Sequence, residues 1–386
     1  MNRSLKSWLL LGLGLMAWVL AVGGVGFGAT QYVVTNDDPG VSFYTVAPNG
    51  ALTLLQQFAT GGFGNVAGFF GANRLAMLNS SSQQCVYASA ASTGEIVGIV
   101  VSSLTLGGSA SGSPSDDGSS NGIGLALNSQ YLYASFTGSN TIGTFQVMAG
   151  CGLAFVNDVA VSGLAGGMIS GMAIHGNIMI ATFTDGSIES FNISSGTPVS
   201  NGDLQYSTAT LSSQDATYPN SIDITSDGHF AIFGDTSTSV VVEVSDISSG
   251  KLTPTVVHTS KASINSSNVM LSPDESLLYV VNTEGDAVSA LNFNKATGAL
   301  SGGCTSGRIK GISVNWSYLA GLGLINQSGN GGGVYVAEFG GPSGIAMVQL
   351  VSASGKCSLK EAPMSPFVDP NSVGLLTIGT FPPRAF

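Results

Sequence analysis

The sequence contains a repeated pattern of short apolar runs, and amide and carboxylate side chains recur at two positions of this repeat. The first place leads into an apolar run, and asparagine occupies it four times, at Asn65, Asn121, Asn220 and Asn371. The second place ends the following run, and its residues in chain order are Asn36, Ala90, Phe136, Phe183, Asp235, Asn282 and Glu338. Oxygen atoms of such side chains bind water, a hydroxylated ligand or a divalent cation such as calcium. An asparagine in the first place also caps the turn into its strand, which involves no ligand.

Groups for general acid–base chemistry and for phosphate binding are scarce. Of the three histidines, we place His175 and His229 in turns and His258 in an outer strand, where each serves packing or the surface. Arg74 is also placed in a turn, and only Arg308 could approach the recurring asparagines. Hydrolysis needs a base or a metal to activate water, and a donor for the developing oxyanion. The histidines and arginines do not supply such a set of groups.

These side chains must be positioned by short β-strands. Three segments align without a gap, namely 65–79, 121–135 and 220–234. The alignment places one turn at Asn73 and at its equivalents Ser129 and Gly228. Gly-containing hairpins recur further along each unit, the period is about 50 residues, and no helical periodicity is present. The sequence therefore predicts an all-β fold, a seven-bladed β-propeller of four-stranded antiparallel blades.

The two ends of the chain indicate how the ring closes. The segment Gln31–Asn36 lies in the frame of a second strand, so the first blade lacks its inner strand. Residues 371–378 match the frame of an inner strand. We therefore expect the C-terminal strand to become the inner strand of blade 1 and to pair with Gln31–Asn36.

Strand direction places both recurring positions on one face, which we call the top. The inner strand begins there and the second strand ends there. In a closed ring, four consecutive blades carry the polar ends, with Asp235, Asn282, Glu338 and Asn36 in blades 5, 6, 7 and 1. Phe136 and Phe183 end the second strands of blades 3 and 4. This face suits a polar ligand, a carbohydrate, a protein segment or calcium; the alternative is a set of ordinary solvated acidic loops.

Two segments resemble a known family. Val33-Val34-Thr35-Asn36 and Tyr279-Val280-Val281-Asn282 are similar to the Tyr-Val-Thr-Asn repeats of seven-bladed propellers in the lactonase (6-phosphogluconolactonase-like) family. The resemblance implies the propeller fold and, as one function, lactone hydrolysis. Family enzymes of the phosphogluconolactone type are associated with histidine and arginine near the top of the channel, and this sequence has no Pro-Arg-His segment there. A phosphorylated substrate is therefore disfavoured, also because the net charge is -11.

The four cysteines provide a geometric test of the ring. We place all of them near the bottom face, in blades 2, 3, 6 and 7. The pairs Cys85–Cys151 and Cys304–Cys357 join adjacent blades, whereas the other two pairings would cross the ring. We expect these two disulfides, with free buried thiols as the alternative. The absence of a CxxC pair argues against a zinc site and against dithiol redox chemistry.

The N-terminal segment and the charge balance limit the possible compartment and partners of the protein. Residues 1–28 combine Arg3 and Lys6 with an apolar run and small residues before Ala29, which predicts a secretory signal peptide, with an uncleaved anchor as the alternative. Residues 29–386 form the single propeller domain. We expect a secreted protein, periplasmic, extracellular or at the cell surface, without membrane contact after cleavage. Eleven basic against 22 acidic residues exclude a nucleic-acid partner.

Three functions remain open. We favour a secreted binding module that takes its ligand at the top face and in the axial channel, with no catalytic residue and no cofactor except a divalent cation. The second is a lactonase-like hydrolase, with metal-assisted lactone opening by Asp235 and Glu338. The third is a structural protein that self-associates through its weakly charged exterior.

Overall fold

The computed structural model describes the part of the chain that carries the repeats. Its described residues are 31–383 without 39, 61–72, 91–92, 111–121, 137, 165, 206–221, 235–238, 247–249, 261–265, 283–285, 310–317, 326–332, 340–343, 352–356 and 369–372. The predicted signal peptide at 1–28 lies outside them.

The described residues are almost entirely strands and turns. The strands in chain order are β1 (Tyr32–Asp38), β2 (Gly40–Val46), β3 (Leu52–Ala59), β4 (Leu75–Asn79), β5 (Gln84–Ala90), β6 (Glu95–Val100), β7 (Thr105–Ala110), β8 (Gly122–Leu127), β9 (Tyr131–Phe136), β10 (Thr141–Val147), β11 (Leu153–Ala160), β12 (Ile169–His175), β13 (Ile178–Phe183), β14 (Ser187–Asn192), β15 (Val199–Gln205), β16 (Ile222–Ile224), β17 (Phe230–Gly234), β18 (Ser239–Asp246), β19 (Lys251–Ser260), β20 (Ser266–Leu271), β21 (Leu277–Asn282), β22 (Ala287–Asn294), β23 (Ala299–Thr305), β24 (Tyr318–Ile325), β25 (Gly333–Phe339), β26 (Gly344–Leu350), β27 (Leu359–Glu361), β28 (Phe367–Val368) and β29 (Val373–Phe381). A short 3-10 helix, Ala149–Cys151, lies between β10 and β11. No described helix is long and apolar enough to cross a bilayer.

The strands form seven antiparallel sheets, which are the blades. Blades 2 to 6 take their four strands consecutively from β4 to β23, and blade 7 contains β24–β27 with β28 paired to β26. Blade 1 has the order β29-β1-β2-β3, so its inner strand comes from the end of the chain. The predicted all-β, seven-bladed propeller is confirmed.

The predicted ring closure is also confirmed. Strand β29 pairs antiparallel with β1, so that Tyr32 faces Phe381 and Asn36 faces Thr377. Apolar residues that alternate along each strand bury both faces of every blade. In one cluster, Val34 and Phe43 of blade 1 pack on Val86 of blade 2.

Seven apolar clusters separate the blades, and each joins two neighbours. The cluster that completes the circle joins blade 7 to blade 1 and contains Val33, Tyr335 and Met347. The hydroxyl of Tyr335 also donates a hydrogen bond of 2.6 Å to the carbonyl oxygen of Gly50, which lies in the β2–β3 turn. Burial between neighbours therefore runs around the whole ring, as expected for sheets that cannot cover their own faces.

One predicted turn is wrong. In blade 2 the turn between the first and second strands is Ser80–Gln83, closed by a hydrogen bond from the Ser80 nitrogen to the Gln83 oxygen, and not Asn73. Four consecutive polar residues form this turn, and a gapless alignment cannot detect the shift that they produce. Asn73 and Arg74 consequently lie before β4, at the top of blade 2, and the expectation of Arg74 in a turn at the bottom is corrected.

Both predicted disulfides are present, and the alternative of free thiols is excluded. Cys85 of β5 bonds to Cys151 in the 3-10 helix, which links blades 2 and 3. Cys304 of β23 bonds to Cys357, which precedes β27, and this bond links blades 6 and 7. Disulfides of this kind persist in an oxidising compartment, which is compatible with the predicted export.

Candidate functional site

The inner strands enclose a cavity of about 550 Å³ along the ring axis. Its described walls come from β4, β8, β12, β16, β20 and β29, together with residues that flank these strands. Inner strands crowd at the centre of a propeller, and the space between them has the size of a small-molecule site. The cavity is therefore the candidate site that the fold itself builds.

Polar side chains are few in this cavity. The polar residues among its described walls are Gln31, Asn73, Asp223, Asn268 and Thr380. Asp223 is the one charged side chain in this part of the lining. Its carboxylate is thus the group that could accept a proton there, and the amides of Asn73 and Asn268 can donate hydrogen bonds.

Hydrogen bonds from two backbone nitrogens orient the Asp223 carboxylate. Oδ2 accepts a bond of 2.9 Å from the nitrogen of Leu271 on blade 6. Oδ1 accepts a bond of 2.9 Å from the nitrogen of the next residue, Ile224. Asp223 lies in the short strand β16 between two apolar residues, and its side chain thereby crosses from blade 5 to blade 6. The bonds fix the carboxylate at the cavity wall, where a carboxylate can still act as an acceptor at its other lone pairs.

Strand pairing shows what lies at the height of Asp223 in the other blades. Asp223 pairs with Ile232, which lies three residues before the predicted run end Asp235. The equivalent pairs are Ala76 with Tyr87, Ala126 with Tyr133, Ala173 with Ile180, Met270 with Tyr279 and, in blade 1, Thr380 with Val33. All six inner-strand residues line the cavity. Three of them are alanines, so short side chains leave space at this height, which we call the Asp223 level.

A ring of apolar side chains lies one residue closer to the bottom face. The described residues at this height that line the cavity are Met77, Leu127, Ile174, Ile224 and Phe381. Their pairing partners are Val86, Leu132, Met179, Ala231 and Tyr32. We call this ring the aliphatic level. Pro382 and Pro383 continue the apolar lining after the closing strand.

Asn36, expected as a top-face ligand residue, is fully buried between blades 1 and 2. Its amide nitrogen donates bonds of 3.2 Å to the carbonyl oxygen of Arg74 and of 2.9 Å to that of Ser89. Asn282 is also buried, and its amide nitrogen donates a bond of 2.8 Å to the hydroxyl of Ser289 within blade 6. These two amides hold strands together at the positions where polar side chains were expected to meet a ligand.

The aromatic pair has a packing role. Phe136 and Phe183 end their second strands as expected, and both are fully buried. Phe136 belongs to the apolar cluster between blades 2 and 3, and Phe183 to the cluster between blades 3 and 4. They therefore contribute to the cohesion of the ring and not to an exposed aromatic flank.

The other predicted top-face residues remain predictions. Asn65, Asn121, Asn220, Asn371 and Asp235 lie outside the described residues, and the Glu338 side chain does as well, although its backbone belongs to β25. Within the described part of the chain, no group of three or more His, Cys, Asp or Glu side chains could hold a metal ion. The predicted calcium site is thus untested.

The basic groups are placed away from the Asp223 level or are already engaged. Arg74 is fully buried at the top of blade 2, and this burial lowers the pKa of its guanidinium to about 10. Arg308 forms an ion pair of 3.0 Å with Asp286. His175 ends β12, and His229 stacks on Phe230 at 4.8 Å, both at the bottom as expected. Phosphate recognition by these groups is disfavoured.

Comparison with known proteins decides the family. Residues 86–365, more than half of the chain, match the family model described as Lactonase, 7-bladed beta-propeller. The chain belongs to this lactonase family. The resemblance carried by the Tyr-Val-Thr-Asn-like segments is thereby confirmed. Among curated proteins, none matches the chain.

Solved structures support the lactonase-family fold at low identity. A protein of Bacteroides fragilis described as a candidate 6-phosphogluconolactonase has a TM-score of 0.64 and 15% identity over 92% of this chain and 99% of its own. A similarly described protein of Bacteroides uniformis has a TM-score of 0.63 and 16% identity over 91% and 99%. The periplasmic gluconolactonase of Pseudomonas aeruginosa reaches 0.51 and 17% over 71% and 81%. These similarities show the propeller fold.

Sequence reasoning missed the polar residues of the cavity. Asp223 and Asn268 lie inside runs that it identified only as inner strands, and Asn73 was placed in a turn. A polar residue flanked by apolar residues in an inner strand was the available signal, as in Ile222-Asp223-Ile224. The strand pattern alone does not show that such a residue lines an axial cavity.

Proposed function

We propose that this protein hydrolyses a lactone bound in its axial cavity, with Asp223 as the general base. The observation that carries the proposal is the oriented Asp223 carboxylate, the one described charge in a cavity of about 550 Å³. Membership of the lactonase family supports the reaction class. The favoured binding module becomes the second candidate.

The reaction needs three roles that the lining can fill. Asp223 accepts a proton from a water molecule, whose oxygen forms a bond to the lactone carbonyl carbon. The amide nitrogens of Asn73 and Asn268 can donate hydrogen bonds to the oxyanion that develops. The bond between the carbonyl carbon and the ring oxygen then breaks. The leaving ring oxygen takes the proton from Asp223, and a hydroxy acid is released.

The test measures proton release at constant pH while the purified protein acts on simple γ- and δ-lactones. We expect turnover by the unchanged protein and a fall of kcat by about 10²- to 10⁴-fold in Asp223→Asn, the range for loss of a general base. Asp227→Asn is the matched control, because Asp227 lies in the turn after the same inner strand and accepts bonds from Thr225 and His229 outside the cavity. Equal turnover by Asp223→Asn and Asp227→Asn would remove Asp223 from the mechanism.

A binding protein without turnover is the second candidate, and one specific observation favours it. The bond that Asp223 accepts from the Leu271 nitrogen connects blade 5 to blade 6, which is a sufficient structural role for a carboxylate. On this alternative, Asp223→Asn lowers the unfolding temperature, and ligand affinity changes little. No lactone is then turned over. Secretion, the signal peptide and self-association remain predictions.

A further inference from the structure

The lining of the cavity contains two adjacent layers of side chains that differ in chemistry. At the Asp223 level, the carboxylate shares its height with Ala76, Ala126 and Ala173, whose short side chains leave room, and with Met270 and Thr380. At the aliphatic level, directly toward the bottom face, the described lining side chains are Met77, Leu127, Ile174, Ile224 and Phe381. Five blades contribute to this ring, so it is a property of the closed propeller and of no single strand.

Three side chains of the aliphatic level are only partly buried in the core, whereas Ile224 and Phe381 are buried in it. Met77, Leu127 and Ile174 are partly buried and pack against the clusters between blades 1 and 2, 2 and 3, and 3 and 4. Met77 also reaches the closing strand, because a Cβ atom on Gly379 would lie 2.5 Å from its terminal carbon. Their remaining apolar surface lines the cavity. Apolar surface of this kind favours burial against an apolar ligand group.

We infer that the ligand of this cavity is a neutral lactone with an unbranched aliphatic substituent. Its ring lies at the Asp223 level, and its chain lies in the aliphatic level. This assignment rests on the proposed function for the lactone ring, and on the lining alone for the chain. A sugar lactone would place hydroxyl groups against Met77, Leu127 and Ile174 without hydrogen-bond partners there, which costs free energy.

The first experiment measures affinity along a homologous series of γ-butyrolactone, γ-hexalactone, γ-octalactone and γ-decalactone, by calorimetry with Asp223→Asn and by KM with the unchanged protein. Each step adds two methylenes, so we expect roughly fifteenfold tighter binding per step while the chain stays within the cavity. A series of n-alkanols that also lengthens by two methylenes per step has no ring to hydrolyse. It therefore measures binding of the aliphatic chain independently of turnover.

Matched substitutions test where the aliphatic chain of the ligand binds. Met77→Gln retains the length of the side chain but presents an amide, and we expect the chain-length dependence to fall to threefold per step or less. Met148→Gln is the control, because Met148 is exposed in the β10–β11 connection, away from the cavity, and we expect it to keep the full dependence. Thermal unfolding of both variants establishes that they fold, and the series on the unchanged protein does not depend on either variant.

The outcomes separate this inference from the proposed function. Turnover of lactones without chain-length dependence, with alkanols failing to bind, would overturn the aliphatic assignment and leave the hydrolase intact. Chain-length-dependent alkanol binding without turnover of any lactone would support the aliphatic level and overturn the hydrolase. Dependence that survives in Met77→Gln as fully as in Met148→Gln would place the chain elsewhere and contradict the inference.

Discussion

The side-chain nitrogen of Asn36 lies 2.9 Å from the carbonyl oxygen of Ser89, and this hydrogen bond ties blade 1 to blade 2. A second bond from the same nitrogen reaches the Arg74 oxygen, which also accepts from the backbone nitrogen of Ser89. Asn36 of blade 1 therefore connects the segment before β4 to strand β5 in blade 2. A side chain at a position that suggested ligand contact has a structural function.

Removal of this amide is expected to weaken the ring. Asn36→Ala removes the buried hydrogen bonds to the Arg74 and Ser89 oxygens, and the free energy of unfolding should fall by about 1–3 kcal/mol. Asn36→Asp should cost more at neutral pH, because a carboxylate cannot donate to either carbonyl oxygen. Urea unfolding measures both changes. Asn292→Ala, at an exposed position in β22, is the control, and a change for Asn36→Ala no larger than for this control would disprove the tie.

The two disulfides are expected to stabilise the ring independently. They span 66 and 53 residues of sequence, and restriction of the unfolded chain predicts about 4 kcal/mol for each. The double substitutions Cys85→Ser with Cys151→Ser, and Cys304→Ser with Cys357→Ser, should each lower the unfolding midpoint. Their effects should add, because the two pairs join different blades and share no partners. If the losses of stability from removing the two disulfides are far from additive, the disulfides do not stabilise the ring independently.

Glu275 is expected to lose its stabilising effect in acid. It is buried, and its carboxylate lies 2.6 Å from the Lys295 nitrogen and accepts a bond of 3.1 Å from the Ser226 hydroxyl. Burial alone would raise the pKa of Glu275, but the bonds from Lys295 and Ser226 outweigh it and hold the pKa below its ordinary value of 4.5. Because the folded state binds the proton more weakly, this stabilisation is present above pH 4.5 and falls as the pH drops through the lowered pKa.

The measurement is the free energy of unfolding of the unchanged protein and of Glu275→Gln between pH 3 and pH 7. We expect the substitution to reduce stability at neutral pH and the two curves to converge in acid. Parallel curves over the whole range would mean that the Glu275 charge makes no contribution.

Glu189 is expected to show the opposite pH dependence. It is buried directly across from Asp203 in the β14–β15 pair. Burial and the neighbouring Asp203 carboxylate raise the pKa of Glu189 to about 7, although a bond from Ser200 acts against them. The folded state thus binds the proton more tightly than the unfolded chain, so the contribution of Glu189 to stability is largest below about pH 4.5 and falls as the pH rises toward 7.

Glu189→Gln, which stays neutral, should remove this fall between pH 5 and pH 8. Unfolding curves of the variant and of the unchanged protein over that range measure the effect. A decline of equal slope in Glu189→Gln would assign the pH dependence to other groups.

The sequence was sufficient to predict the ring of blades but not the candidate site. The missing first strand and the spare last strand predicted the β29–β1 pairing, and the spacing of Cys85, Cys151, Cys304 and Cys357 agreed with adjacent blades. In blade 2 the frame failed, because Ser80–Gln83 form the turn and a gapless alignment cannot register that shift. The same error put Arg74 on the wrong face.

The site depended on distances that a linear pattern does not contain. Asn36 and Asn282 have the expected residue type at the expected strand ends, but their partners are Ser89, Arg74 and Ser289, which lie elsewhere in the chain. Asp223 was visible as a polar residue in an apolar strand. Its position at the cavity wall followed only once the partner of each inner strand was known.

A crystal structure of Asp223→Asn grown with γ-decalactone would examine the proposed site without reliance on turnover. We expect density for the ring beside residue 223 and for the chain among Met77, Leu127 and Ile174. A lactone bound only at another surface, with water alone in the axial cavity, would show that the cavity is not the active site.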